Sequence, residues 1–262
     1  MDRRFLFLLP LAALLAVFAS GCNKSGSGQS GGGNDCLNEF ASGQPTSSQA
    51  DVRLLCRKEY SSLYDPARKV PLVVGEHLTP AELVKNVSRT DAFQPDPDLA
   101  AGERAELNDY QRSGYDRGHM APAGDFTSDE AVMQQSFYLS NMVPQNGPMN
   151  RGIWSGLESA TRACAGSLGG LFVLTGPVFE GRTKTIGPDG VAVPSSLYKV
   201  VVSGNKARAF LMPNRDLPRT GNYLRYEVTV DEVQRATGLT FFPGGEVNTQ
   251  QRGDFCAGYY GS

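Results

Sequence analysis

The pentapeptide LFVLT at 171–175 puts apolar side chains on both faces of any strand it forms. Such a strand needs cover on both sides, so residues 170–175 are expected at the centre of a sheet with packing layers above and below it. Further strand candidates are 136–143, 198–203, 207–212 and the Phe241-Phe242 pair. A hairpin is expected where RKEYSSLY (57–64) and KVPLVV (69–74) flank Asp65-Pro66-Ala67-Arg68, because Asp-Pro is turn chemistry. Three helix starts carry a capping signature: Thr79-Pro80-Ala81-Glu82, Thr127-Ser128-Asp129-Glu130 running to about Gln135, and Thr229-Val230-Asp231-Glu232 running to Gly238. Residues 150–165 give another helix, and the Pro/Gly-rich stretch 181–194 a long hairpin loop. Strands and helices mix without regular βαβ alternation, which predicts an α+β fold with a central, mostly antiparallel sheet flanked by helices.

The 262 residues are 40% hydrophobic and 20% charged with a formal net charge of −2, a balance that excludes disorder and collagen-like repeats. The first residues differ from the rest. Arg3 and Arg4 precede an apolar run over 5–18, interrupted by Pro10 and ending in Ala19-Ser20-Gly21-Cys22. That run is shorter than the ~20 residues a membrane-crossing helix needs and reads as an export signal. Its ending resembles a bacterial lipoprotein lipobox, which implies removal of 1–21 and lipidation of Cys22, with cleavage by an ordinary signal peptidase as the alternative. Residues 22–35 then hold the lipidated cysteine and a tether, NKSGSGQSGGGN, whose random-coil reach is roughly 20 Å. Asn23 is not the Asp that marks inner-membrane retention in such proteins, so an outer-membrane anchor, periplasmic or surface-facing, is expected. The folded domain is expected over 36–262.

Cys36, Cys56, Cys164 and Cys256 remain, an even number in an oxidising compartment, which invites two disulfides. Three pairings are possible, and Cys36–Cys56 with Cys164–Cys256 is favoured because the first two flank one short stretch. A cysteine-ligated metal does not fit, since there is no CxxC and only two histidines occur.

One of those histidines, His119, sits in Asp116-Arg117-Gly118-His119-Met120, where a guanidinium and an imidazole flank a glycine. Alone, this cluster is equally a buried ion pair beside a satisfied histidine. It is followed by Ser140-Asn141-Met142-Val143-Pro144-Gln145, then by Asn150-Arg151-Gly152-Ile153-Trp154, Leu157-Glu158 and Arg162. This ordered set resembles the DNA/RNA non-specific endonucleases of the ββα-metal (His-Me finger) superfamily, whose signature is DRGHM, then SNMxPQ, then an Asn on the next helix. The resemblance extends through YDPARKVPLVVGEHLT, RTDAFQPDP, LTGPVF, VPSSLYKVVV and GLTFFP, most of residues 60–243.

The resemblance implies a ββα-metal nuclease fold and a hydrolase cutting DNA and RNA with little sequence preference, leaving 5′-phosphate ends. It assigns His119 as general base. An imidazole with an unperturbed pKa near ~6.5 suits that role, being largely neutral at pH 7. It assigns Asn150 as the protein ligand of Mg²⁺, with Mn²⁺ as an alternative; a hard cation accepts one amide oxygen plus water and phosphate oxygens. A helix N-cap is the other role open to Asn150. Glu158 is implied to order the metal's water shell, and Arg117 and Arg162 to contact phosphate, as Arg89 also would. Asn150, Trp154, Glu158 and Arg162 form an i, i+4 row on one helix face, with Trp154 expected in the core. Without the resemblance, Glu158 and Arg162 would be an exposed helix pair. His77 matches a non-catalytic block and is expected to be structural. The implied partners are DNA and RNA, with membrane contact through the N-terminal lipid only and oligomeric state left open, a homodimer included. The alternative function is a surface lipoprotein that keeps the fold with weak or no turnover and binds nucleic acid or a protein.

Charge does not announce such a function. Residues 104–162 hold five arginines against seven acids, whereas 168–219 hold seven cations (Arg182, Lys184, Lys199, Lys206, Arg208, Arg215, Arg219) against three acids, or +4. The strands and loop of that second stretch are expected to supply a wall that follows the phosphate backbone, with steeply salt-sensitive binding.

Overall fold

The computed structural model describes Met1, residues 35–49 and residues 51–261. All elements below lie within Gly33–Ser262. The expected export signal, Cys22 and tether lie outside the described residues.

Seven strands form an antiparallel sheet. In chain order the strands used here are β1 (Arg53–Cys56), β2 (Ser61–Asp65), β3 (Val70–Leu78), β4 (Tyr115–His119), β5 (Met142–Asn146), β6 (Leu171–Val178), β7 (Ser196–Ser203), β8 (Lys206–Pro213) and β9 (Glu227–Val228). The sheet order is β9-β8-β7-β6-β3-β2-β1, which puts the doubly apolar strand β6 in the middle, as its composition dictates. Alternation along the strands feeds two separate cores. Val173 and Val201 join one with Trp154, Leu157 and Phe210, while Leu174, Val200 and Val202 join the other with Val230, Val233 and Phe241. The hairpin around Asp65 forms as expected, with Asp65 Oδ1 accepting from the amides of Ala67 and Arg68.

The longer helices are α1 (Glu130–Ser136), α2 (Ser155–Leu168) and α3 (Val230–Thr237). Helix α3 has the full capping box at Thr229 and a left-handed Gly238 at its end. Helix α1 forms, but Asp129 caps it rather than Thr127, accepting from the amides of Ala131 and Val132. Both favoured disulfides are present, Cys36–Cys56 and Cys164–Cys256, the second pinning the C-terminal segment to α2.

Three sequence expectations fail locally. Thr79–Glu82 closes a single turn, since the amides of Asn86 and Val87 both donate to Thr127 O and the chain is drawn away from a helix. Residues 136–143 are not one strand: Leu139–Asn141 is a 3-10 turn, and the Asn141 side chain bonds Ala121 and Ser136, so pairing begins only at Met142. The short strand near the C-terminus is Leu239–Thr240, and the Phe241 amide donates to Gln234 Oε1 instead of a ladder partner.

Candidate active site

A separate two-stranded ribbon pairs β4 with β5, and α2 follows it, giving a ββα unit beside the sheet. Gly118 makes the ribbon possible: a Cβ there would lie 2.1 Å from Gln145 Oε1 and 2.5 Å from Gln145 Cβ. With Gly118 turned toward β5, period-two alternation sends Tyr115, Arg117 and His119 to the opposite face. The chain then enters a helical turn at Gly147–Met149, three residues before the expected start, with Asn146 as its cap. Asn150 is therefore inside the helix and is not its N-cap.

Residues Asn150–Trp154 are not regular helix: Gly152, at φ −114° and ψ −111°, is non-helical and kinks the chain ahead of α2. Trp154 is fully buried, as expected for the core, and Ser155 joins Asn150, Glu158 and Arg162 in lining the cleft.

All six predicted polar site residues meet in one cleft of about 310 Å³: Arg89, Arg117, His119, Asn150, Glu158 and Arg162. His119 is buried between Phe137, edge-on at 5.0 Å, and Phe93 at 5.6 Å. Burial, then the charges of Arg89 and Arg117, push its pKa down to about 3, so the imidazole is neutral at physiological pH. Its Nε2 is enclosed without a partner among the described residues, leaving Nδ1 as the nitrogen open to the cleft. Asn150 Nδ2 donates to Asp116 Oδ2 at 2.9 Å, which fixes the amide and leaves Oδ1 as a free acceptor. Arg117 has no carboxylate partner among the described residues; its guanidinium lies 4.1 Å from the Phe93 ring centroid. Arg89 is held by Asp91 at 2.7 Å and lies over Phe137.

Glu158 and Arg162 are not an ion pair with each other. Arg162 bonds the buried Asp125 at 2.6 Å, and Glu158 lies above a buried group of Glu76, Asp125 and Lys199. Burial pushes the Glu158 pKa up to about 7, against the pull of Lys199. Burial also holds Glu76 well above the usual carboxylate range. Lys199 Nζ donates to Thr175 Oγ1 at 2.7 Å and lies 5.5 Å from the Trp154 ring centroid.

Among the described residues no group of three or more His, Cys, Asp or Glu is arranged to hold a metal. A cation here would take a single protein oxygen, Asn150 Oδ1, and complete its shell with water and phosphate. Mg²⁺ and Mn²⁺ fit that donor set, whereas Zn²⁺ with its nitrogen and sulfur preference does not.

Residues 39–248 match the DNA/RNA non-specific endonuclease family. The chain belongs to that family. It is 38% identical over 223 residues to Nuclease C1 of Cunninghamella echinulata var. echinulata, covering 77% of this chain and 86% of that protein. It is 36% identical over 211 residues to the mitochondrial nuclease EXOG of Danio rerio, covering 74% of this chain and 61% of that protein, so it spans less than two thirds of that relative. A solved structure of the EndoG/EndoGI complex, described as showing the mechanism of EndoG inhibition, superposes with a TM-score of 0.73 at 30% identity, covering 83% of this chain and 94% of that one.

Sequence reasoning within this endonuclease family found the residues facing the cleft and missed those behind them. Asp116 was visible in the DRGHM block, yet its grip on Asn150 and on Arg151 Nη1, at 2.5 Å, is tertiary. Asp125, Glu76 and Lys199 come from three separate segments and carry no joint signal. The basic stretch 168–219 is corrected in part. Lys199 and Arg208 are buried, Arg208 on Glu227 at 2.8 Å, and Lys206 pairs with Asp254, so these three do not form a backbone-following wall. His77 stacks on Phe172 at 4.2 Å and does not line the cleft.

Proposed function

We propose that this chain is a metal-dependent endonuclease that hydrolyses phosphodiester bonds of DNA and RNA without strong sequence specificity. The observation that carries the reading is one cleft holding a neutral buried imidazole, a free amide oxygen and an unpaired guanidinium. In this reading His119 accepts the proton of an attacking water through Nδ1. Arg117 and Arg162, with Arg89 at the rim, grip phosphate oxygens and offset the charge that builds on phosphorus; a planar guanidinium does this bidentately. Asn150 Oδ1 is the oxygen that would hold Mg²⁺ or Mn²⁺, which when bound supplies Lewis-acid stabilisation of the departing 3′ oxygen. Glu158, above a buried charge group, orients cleft water. Contacts to phosphate rather than base edges account for sequence tolerance.

The export signal, lipidated Cys22 and tether belong to the same proposal and give a nuclease domain at 36–262 displayed from the outer membrane. The test is digestion of supercoiled plasmid and of RNA with and without EDTA, comparing the intact chain with His119→Ala and Asn150→Ala. EDTA is expected to stop cutting, and His119→Ala to slow it by about 10²-fold or more. Equal activity in the histidine variant, or cutting indifferent to EDTA, would sink the assignment.

A further inference from the structure

The cleft continues past Arg117. Arg89, Arg117, Asn150 and Arg151 also wall a second cavity of about 380 Å³, and that cavity adjoins a third of about 210 Å³ across Tyr115. Strand β4 sets the direction of this series. His119 lines the first cavity, Arg117 the first and second, and Tyr115 the second and third. With a rise of ~3.3 Å per residue, Tyr115 lies about 13 Å along the strand from His119.

The chemistry changes along the way. The second cavity presents the half-buried ring of Tyr115, backed by the buried Tyr110, whose hydroxyl has no partner among the described residues. Aromatic rings in a polar channel are what unpaired bases stack on. The third cavity holds Arg182 and Lys184 with Phe179, and Glu180 is its one acid. Arg89, Arg151 and Arg162 are each bound to an aspartate. Arg182 and Lys184, like Arg117, make no side-chain hydrogen bond or ion pair among the described residues. A phosphate therefore meets them without displacing a carboxylate.

The segment that carries these cations is also anchored beside β4. Lys184 begins the hairpin formed by Lys184–Ile186 and Val191–Val193, and Arg182 lies in the bend two residues before it. Asn214 fastens the base of that hairpin to β5, donating to Pro194 O and Pro144 O and accepting from the Asn146 amide. At the tip, the Asp189 amide donates to Asp109 Oδ1 at 2.9 Å, one residue from Tyr110.

We infer that a substrate strand whose scissile phosphate lies at His119 and Arg117 runs along β4, with bases against Tyr115, to an outlying phosphate site made by Arg182 and Lys184. This rests on the nuclease reading and adds to it a polynucleotide subsite with a defined direction. A stacked strand spaces its phosphates ~3.4 Å apart along the axis, so Tyr115 lies on the order of four phosphates from the scissile one and the outlying site lies further still, beyond the reach of a very short substrate.

The test uses the intact chain with Mg²⁺ and fluorescein-labelled single-stranded DNA of about 4 and about 16 nucleotides. Arg182→Gln with Lys184→Gln is compared with Arg235→Gln and Arg252→Gln, a charge-matched pair outside all three cavities. For the cavity pair, kcat/KM on the longer strand is expected to fall about tenfold or more at low salt, and its log–log salt slope to shallow by about 1.4, at ~0.7 per lost contact. On the shorter strand the fall is expected to be under about twofold, and the control pair is expected to leave the length dependence as it was. Equal losses at both lengths, no loss at either, or the same loss in the control pair would overturn the subsite while leaving the nuclease reading intact. If the wild-type chain cuts neither length, the nuclease reading fails and this one with it.

Discussion

Replacing Lys199 by Met tests whether the charge group beneath the cleft acts as a unit. Lys199 is buried and is the cation that most lowers the Glu158 pKa, with Glu76 and Asp125 also in its field. Met has nearly the same volume, so packing against Trp154 is largely kept and accounts for about 1 kcal/mol at most. Removing one partner of a buried charge set otherwise costs about 3–5 kcal/mol. That cost should depend on pH, and its sign is determined. The Glu158 pKa is already raised to about 7, and without Lys199 it rises further, so the folded variant holds an extra proton above the wild-type titration. A raised carboxyl pKa contributes stability while the group is protonated and loses it as pH climbs through the folded value. The variant's pH-dependent deficit should therefore be small at pH 5 and grow once pH passes about 7, by about 1.4 kcal/mol per pH unit per extra proton, reaching about 1.4 kcal/mol from Glu158 by pH 8. Urea unfolding at four pH values reads this directly, and the acid limb of the pH–rate profile should move upward in parallel. A deficit that is flat with pH, or below about 1 kcal/mol at pH 8, would refute the coupling.

Two other outcomes follow from the fold. Gly187 has φ +69°, and a Cβ there would fall 2.2 Å from Asp109 Cα, so Gly187→Ala should release the hairpin tip, cost about 2 kcal/mol and speed exchange of the Asp189 amide; unchanged exchange would refute the docking. The disulfides close 92 and 20 residues, so loop entropy predicts losses of about 4.6 kcal/mol for Cys164→Ser with Cys256→Ser and about 3.3 for Cys36→Ser with Cys56→Ser, a ranking that denaturant unfolding would show reversed if the reasoning were wrong.

Legibility in the sequence followed how local each determinant was. LFVLT announced the central strand because its composition alone demands two-sided burial, and Thr229 announced α3 because the capping box is completed within four residues. Thr79 carried the same signature and gave only a turn, because its continuation is decided by Thr127, far along the chain. The cleft residues were legible through an ordered resemblance to one family. Their supports were not: Asp125 reaches Arg162, and Glu76 and Lys199 reach Glu158, only after the sheet has formed. Arg182 and Lys184 showed as basic residues in a basic stretch, but nothing in the sequence separated them from Arg208, whose charge is spent on Glu227.

The break at Gly152 governs how this cleft can vary. Its φ of −114° and ψ of −111° lie outside the helical range, so the helix that carries Glu158 and Arg162 starts on a new axis after Asn150. A Cβ at Gly152 would lie 3.1 Å from Arg219 Cα, so backbone closes the corner from outside. The two halves of the cleft therefore stand on separate helical pieces that meet at one corner: Asn150 takes its aim from Asp116 on one side of it, and Glu158 and Arg162 take theirs from the buried charges on the other.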